Sequence, residues 1–336
     1  MSEQIGKSRW LIVADDLTGA LDSSAPFALA GRRVCVASRP DALLDALNSG
    51  ADVVAVSTRS REIPAEQARS IMARVVAQRP DDMRLFKKVD SRLKGHIAAE
   101  LSVLPDVPFL VAPAIPQFGR VVRDGCVDGF GVSTPIPIAP VIGRQAVIPE
   151  TLCDADIAKA VAAAPSDTIF VGAMGLAQAL AGPATIKPQV LKGRIGMAIG
   201  STDPITLAQL DVLRGAGVPV IPAPGGVWAG DVPDQRASVL QASDDGVVHD
   251  RAEVAARFAA SASAFLEGHD SLVLSGGATA EAVLDALGME LLEMVGEALP
   301  GLPVSRADGR LIVTKSGGFG APDSLHRLIQ EAKIAE

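Results

Sequence analysis

The sequence predicts an α/β protein of two domains, each a mainly parallel sheet flanked by helices, with an inter-domain cleft. Three observations carry that reading. The chain has 336 residues, and a domain usually takes about 100–200. Short β-branched runs alternate with alanine-rich segments of helical period along most of its length. The runs are continuously apolar rather than alternating, as strands covered on both faces are. In order, the expected strands are 10–14, 34–37, 53–57, 84–89 and 108–112, then 168–171, 195–199, 218–221, 271–274 and 311–314. Helices are expected over 65–77, 205–213, 251–266 and 280–287. Strand–helix alternation implies parallel strands joined by right-handed crossovers. The alternation lapses over 125–165, around Asp128-Gly-Phe-Gly-Val-Ser-Thr-Pro-Ile-Pro. That places the domains at 1–165 and 166–336. A second loop-rich stretch is expected from 222 to 245, and there is no repeat of 20–50 residues.

Composition narrows the function. Net charge is −8, tyrosine is absent and aromatic residues make up 3%. Neither long-range attraction to nucleic acid nor stacking platforms for single strands are expected. No apolar run approaches the ~20 residues that cross a bilayer, and MSEQIGKSRW has no apolar signal-peptide core. Cys35, Cys126 and Cys153 lack CxxC spacing, which suits reduced thiols in a cytoplasmic protein. His249 and His269 are expected on the surface. His96, beside the 90–95 loop, is a surface residue or a substrate contact. The apolar residues 135–142 suit a homodimer interface or a buried loop equally. A small-molecule substrate is the remaining class.

In parallel sheets, ligands bind beyond the carboxyl ends of the strands. In the first half those positions hold Asp15-Asp16-Leu-Thr18-Gly19, Thr58-Arg59-Ser60-Arg61, Asp90-Ser91-Arg92-Leu-Lys94-Gly95 and Gln117-Phe-Gly119-Arg120. Carboxylates accept hydrogen bonds from sugar hydroxyls, and arginine grips a carboxylate bidentately. The plainer alternatives are solvated strand-edge lysines at Lys87, Lys88 and Lys94, and helix capping by Asp16 or Thr18. In the second half the strand ends hold Gly200-Ser201, Gly276-Gly277-Ala278-Thr279 and Lys315-Ser316-Gly317-Gly318-Phe319-Gly320. Glycines let backbone N–H groups approach an anion, and a following helix N-terminus adds a favourable dipole. Any one of these is usually a tight turn; three together suit phosphate. No GxxxxGK[ST], GxGxxG, metal-ligand spacing or nucleophilic triad is present.

Together with Gly172-Ala-Met-Gly175-Leu-Ala, assigned to the C-terminal domain, these motifs resemble the four-carbon acid sugar kinase family over nearly the whole chain. The resemblance implies an ATP- and Mg²⁺-dependent kinase acting on a hydroxyl of threonate, erythronate or a 3-oxo-tetronate. It implies an adenine-nucleotide site at Ser201, Gly276, Gly277, Ala278, Thr279, Gly317, Gly318 and Gly320 on the C-terminal domain. It implies a sugar-acid site at Asp15, Asp16, Ser60, Arg61, Asp90, Ser91 and Arg120 on the N-terminal domain. Arg61 or Arg92 is expected to hold the substrate carboxylate, Asp16 to act as general base, and Asp90 to be the next candidate for that role. Metal ligands are unassigned. This chain is shorter than typical members, with the deficit over 125–150 and 222–250. Ala278 stands where many have Glu, His96 where Asn is common, and Asp203 where a small polar residue is common. The alternative is a non-catalytic nucleotide- or sugar-acid-binding relative.

Overall fold

The structure is a computed structural model and describes residues 8–333. They form two compact units that divide between Ile186 and Lys187. The N-terminal unit runs β1 (Arg9–Ala14), α1 (Leu17–Leu29), β2 (Val34–Ala37), α2 (Leu43–Asn48), β3 (Val53–Ser57), α3 (Ala65–Val76), β4 (Met83–Lys88), α4 (Ile97–Leu101) and β5 (Phe109–Ala112). It continues through β6 (Arg120–Arg123), β7 (Cys126–Gly129), β8 (Ile136–Pro137), α5 (Ile138–Ile142), α6 (Asp154–Ala163), β9 (Ile169–Gly172) and α7 (Met174–Ala181).

Its main sheet has the order β2-β3-β1-β4-β9-β5, parallel at every pairing. Every residue of β3 is buried, and all of β1 except Arg9. That explains why the apolar runs lack alternation. Trp10 is fully buried and packs on Phe27 of α1 at 6.2 Å and on Phe170 of β9 at 5.8 Å. Strands β6, β7 and β8 make a small antiparallel sheet. The chain leaves β1 toward β2 and leaves β4 toward β5, so a topological switch point lies between the ends of β1 and β4.

The C-terminal unit runs β10 (Ile195–Ile199), α8 (Pro204–Gly215), β11 (Val220–Pro224), β12 (Ala237–Ser243), α9 (Arg251–Phe265), β13 (Ser271–Ser275) and α10 (Gly277–Ala286). Then follow β14 (Leu291–Leu299), β15 (Leu302–Ala307), β16 (Arg310–Lys315) and α11 (Ser324–Glu331). Within this unit the order is β11-β12-β10-β13-β16-β15-β14. Ile195, Met197 and Ile199 pack with Leu210, Val239, Val313 and Leu325 in its core. The connections diverge from β10 and β13, which places a second switch point between those strands.

Several expectations need correction. The boundary falls at 186/187 rather than 165/166, because β9 inserts between β4 and β5 and carries Gly172 and Gly175 into the N-terminal unit. The C-terminal sheet is mainly parallel, as expected, with β14 and β15 as its antiparallel part, a hairpin against β16. The stretch from 222 to 245 holds β12, whose Ala237–Ser243 run pairs with both β10 and β11. Residues 138–142 form a short helix with Ile138 and Ile142 buried within the chain. His269 is buried and stacks on Phe265 at 5.7 Å.

Candidate functional site

In the N-terminal unit, Asp15 and Asp16 stand where β1 gives way to α1. Asp16 is the N-cap: its Oδ1 accepts the Gly19 N–H at 2.7 Å. Capping therefore belongs to Asp16 and not to Thr18. The other oxygens of the pair converge on one guanidinium. Arg61 donates through Nε and Nη2 to Asp15 at 2.8 and 2.7 Å, and through Nη1 to Asp16 Oδ2 at 2.6 Å. Burial opposes the charge on Asp15, but the Arg61 bond and the charges of Lys87 and Lys88 outweigh it and hold the carboxyl below its usual range. Glycine is required at 95, where φ is +95° and a Cβ would stand 2.7 Å from Asp15 Oδ2.

The solvated reading fails for two of the lysines and holds for Lys94. Lys87 and Lys88 are 0% and 5% exposed. Successive strand side chains point to opposite faces, so the two adjacent lysines enter different layers and find different carboxylates. Lys87 Nζ lies 2.9 Å from Glu100 Oε2, both groups being sealed from solvent. Glu100 Oε1 accepts the Ser60 hydroxyl at 2.6 Å. On the other face, Lys88 Nζ lies 3.6 Å from Asp22 Oδ1. Burial works against the Lys88 charge, but Asp22, Asp16 and Asp15 outweigh it and raise its pKa. Burial dominates at Asp22, and its carboxyl is pushed up to about 6.

After β4, Asp90 Oδ1 accepts the N–H groups of Arg92 and Lys94 at 2.9 and 3.4 Å, which closes the 90–95 loop on itself. Arg120 donates to Ser91 Oγ at 2.6 Å and to the Phe130 carbonyl at 3.1 and 2.8 Å. Burial and the neighbouring Arg92 charge both depress the Arg120 pKa. Positive charge is thus in local excess beside Ser91, which suits an incoming carboxylate. His96 is the half-buried N-cap of α4.

In the C-terminal unit, three turns interlock at the second switch point. A Cβ on Gly200 would stand 2.0 Å from Thr279 Oγ1, and one on Gly317 would stand 2.2 Å from Ser201 Oγ. Gly276 has φ +106° and opens α10 without a side-chain cap. Asp203 caps α8 through Oδ1 to Ile205 N at 2.9 Å. Ala278 is exposed in the first turn of α10. The structure thus brings Ser201, Gly276, Thr279 and Gly317 together, with Gly277, Ala278, Gly318 and Gly320 on the same turns. Backbone amides in glycine turns and at a helix N-terminus are groups that can receive an anion.

Sequence reasoning missed Glu100 and Asp22, and with them Thr206 and Gln209 of α8, whose side chains hydrogen-bond to the Gly317, Phe319 and Ala321 carbonyls. The one local signal for Glu100 was a lone acid inside the apolar run Ile97-Ala-Ala-Glu-Leu; the rest left none.

Comparison with known proteins fits the division of chemistry. A family model described as a sugar-binding N-terminal domain matches residues 10–132, and one described as a nucleotide-binding C-terminal domain matches 227–325. The D-threonate kinase of Cupriavidus necator is 30% identical over 399 aligned residues, covering 94% of this chain and 96% of the relative. The chain belongs to the four-carbon acid sugar kinase family. A D-threonate kinase of Bordetella bronchiseptica is also 30% identical, with 95% and 96% coverage. The 3-oxo-tetronate kinase of Methylobacterium radiotolerans is 29% identical, with 94% and 97% coverage. The function that goes with membership is that of a sugar acid kinase, a phosphotransferase, and a non-catalytic role is not favoured. A solved structure from Salmonella typhimurium LT2 shares the fold at TM-score 0.73 and 18% identity, covering 95% of this chain and 98% of its own. One from Haemophilus influenzae does so at 0.69 and 19%, covering 95% and 99%. Among the described residues no helix is long and apolar enough to cross a membrane.

Proposed function

We propose that the protein phosphorylates a hydroxyl of a four-carbon sugar acid, threonate or a 3-oxo-tetronate, using ATP. The observation that carries this reading is the match between material and switch point. Paired charges that can grip a polyol acid stand at one, and interlocked glycine turns that can cradle phosphate stand at the other. Transfer then requires the sugar hydroxyl and the γ-phosphate to meet in line, which is a matter of positioning and charge neutralisation.

In this reading Arg92, with Arg120 and Ser91 behind it, takes the substrate carboxylate. Arg61 spends three donors on Asp15 and Asp16, so its part is to orient those carboxylates toward the sugar hydroxyls. Asp16 removes the proton from the attacking hydroxyl. Asp90 is the second candidate, with Oδ1 tied to the loop amides. Ser201, Thr279 and the glycine amides hold the phosphates. Mg²⁺ arriving with ATP would supply charge neutralisation at the phosphates. Asp203 supplies a carboxylate beside Gly317 and Gly318. The protein's role in that chemistry is to hold the donors fixed and to exclude water.

The test is incubation with ATP, Mg²⁺ and a panel of D- and L-threonate, D- and L-erythronate and the 3-oxo acid, with ADP release as readout. ADP formation above the acid-free blank with at least one member is expected. A panel that never exceeds the blank rejects the reading.

A further inference from the structure

Lys315, at the end of β16, is 1% exposed and makes no ion pair among the described residues. Its ammonium is surrounded by neutral oxygens. The three N–H bonds of Nζ are shared among four oxygens: Thr206 Oγ1 at 2.9 Å, the carbonyls of Ser316 and Gly317 at 3.0 Å each, and that of Phe319 at 3.2 Å. Two side chains of α8 join it: Thr206 Oγ1 donates to Gly317 O at 2.8 Å, and Gln209 Nε2 donates to Phe319 O and Ala321 O at 3.1 and 2.9 Å. Four loop carbonyls are therefore drawn inward.

A peptide unit is planar and trans, so an inward carbonyl sends the next residue's N–H the other way. Ser316, Gly317 and Phe319 turned inward direct the N–H groups of Gly317, Gly318 and Gly320 outward. A side chain at 317 would collide with Ser201 Oγ, and Gly320 holds φ +91°. The turn is an anion cradle set from beneath by one lysine.

A buried cation without a counter-charge is costly. Burial depresses the Lys315 ammonium to about 8, against the opposing pull of Asp203. Asp203 is the charged group that bears on it from α8. Ser275, its pairing partner on β13, and residues 302–305 of β15 carry no charge. We propose that Lys315 is a positioning residue of the phosphate cradle whose missing counter-charge is the nucleotide's own phosphate, so that nucleotide binding is coupled to proton uptake by Lys315. This rests on the assignment of the nucleotide to the C-terminal unit.

Linkage gives the sign. A bound anion favours the charged ammonium and raises its pKa in the complex. Affinity is then greatest below pH 8 and falls above it by up to about tenfold per pH unit. The test is calorimetric titration with ADP and Mg²⁺ from pH 7 to 9.5, at each pH in buffers of differing ionisation enthalpy. Near pH 8.5 the phosphates of ADP are already ionised, so an uptake of about half a proton or more reports on the protein. Lys315→Met should abolish that uptake and weaken ADP at least tenfold. Lys315→Arg should bind ADP with a flat pH profile, because arginine does not titrate in this range. Wild-type protein that binds ADP with no proton uptake and a flat profile overturns the inference, whether or not Lys315→Met folds. So does Lys315→Met that keeps both uptake and affinity. Wild-type protein that binds no ADP at any pH fails the nucleotide reading itself, which is a different result.

Discussion

The two units place candidate sites at equivalent points of similar sheets and build them from opposite materials. In the N-terminal unit the working groups are side chains already paired with one another: Arg61 with Asp15 and Asp16, Lys87 with Glu100, Lys88 with Asp22. In the C-terminal unit the proposed groups are backbone amides, and the buried Lys315 makes no ion pair among the described residues. Paired charges hold a shape before the ligand arrives, which suits a small polyol that must be read at several hydroxyls. An uncompensated charge waits for an anion, which suits a phosphate chain. The difference lies in how each site satisfies its electrostatics without ligand.

Substitutions can break this contrast. Asp16→Asn keeps a good helix cap and removes the proposed base, so kcat should fall by about 10²–10⁴ while ADP affinity stays within about twofold. Steady-state ADP release paired with calorimetry checks both halves; near wild-type turnover would return the role to Asp90. Glu100→Gln strands the Lys87 charge in a sealed layer. A loss of roughly 3–5 kcal/mol in urea-unfolding stability is expected, and a loss under about 1 kcal/mol would mean the pair is not holding the N-terminal site. Gly276→Ala forces a side chain onto φ +106°, at a cost of about 1–3 kcal/mol. ADP binding should weaken about tenfold, whereas Gly217→Ala, at φ +77° in a turn with no atom within 4 Å of the added Cβ, should leave it unchanged. Equal effects from both would remove the special status of the 276 turn.

The smallest effect is a pH dependence. The Asp22 carboxyl is raised from 3.8 to about 6 in the folded state, so the folded protein holds that proton more tightly than the unfolded chain does. Its contribution is fully present below about pH 4 and is lost as pH rises through about 6. Asp22→Asn should flatten the fall in stability between pH 4 and 6 by on the order of 1–3 kcal/mol, measured as urea midpoints across that range. An unchanged slope would place the titration elsewhere.

Much of the fold was legible because buried parallel strands announce themselves locally. The runs at 34–37, 53–57 and 195–199 coincide with β2, β3 and β10. The hairpin β14–β15 was not legible. Leu291-Leu-Glu-Met-Val-Gly-Glu alternates only loosely, and its pairing passes through irregular registers at Met294/Gly296 and Glu297/Leu299. The boundary was misread for a related reason: β9 looks like any other strand, and nothing in its sequence says that it closes the earlier sheet.

By itself the sequence determined which turns carry charge and which carry glycine, because those are properties of a few contiguous residues. Tertiary structure decided who pairs with whom. Two adjacent lysines that read alike in the sequence face opposite layers and meet Glu100 and Asp22. A third, Lys315, forms no ion pair among the described residues and feels an acid, Asp203, only at a distance. Strand order and pleat set those partners, and neither is written within the span of residues that any local pattern covers.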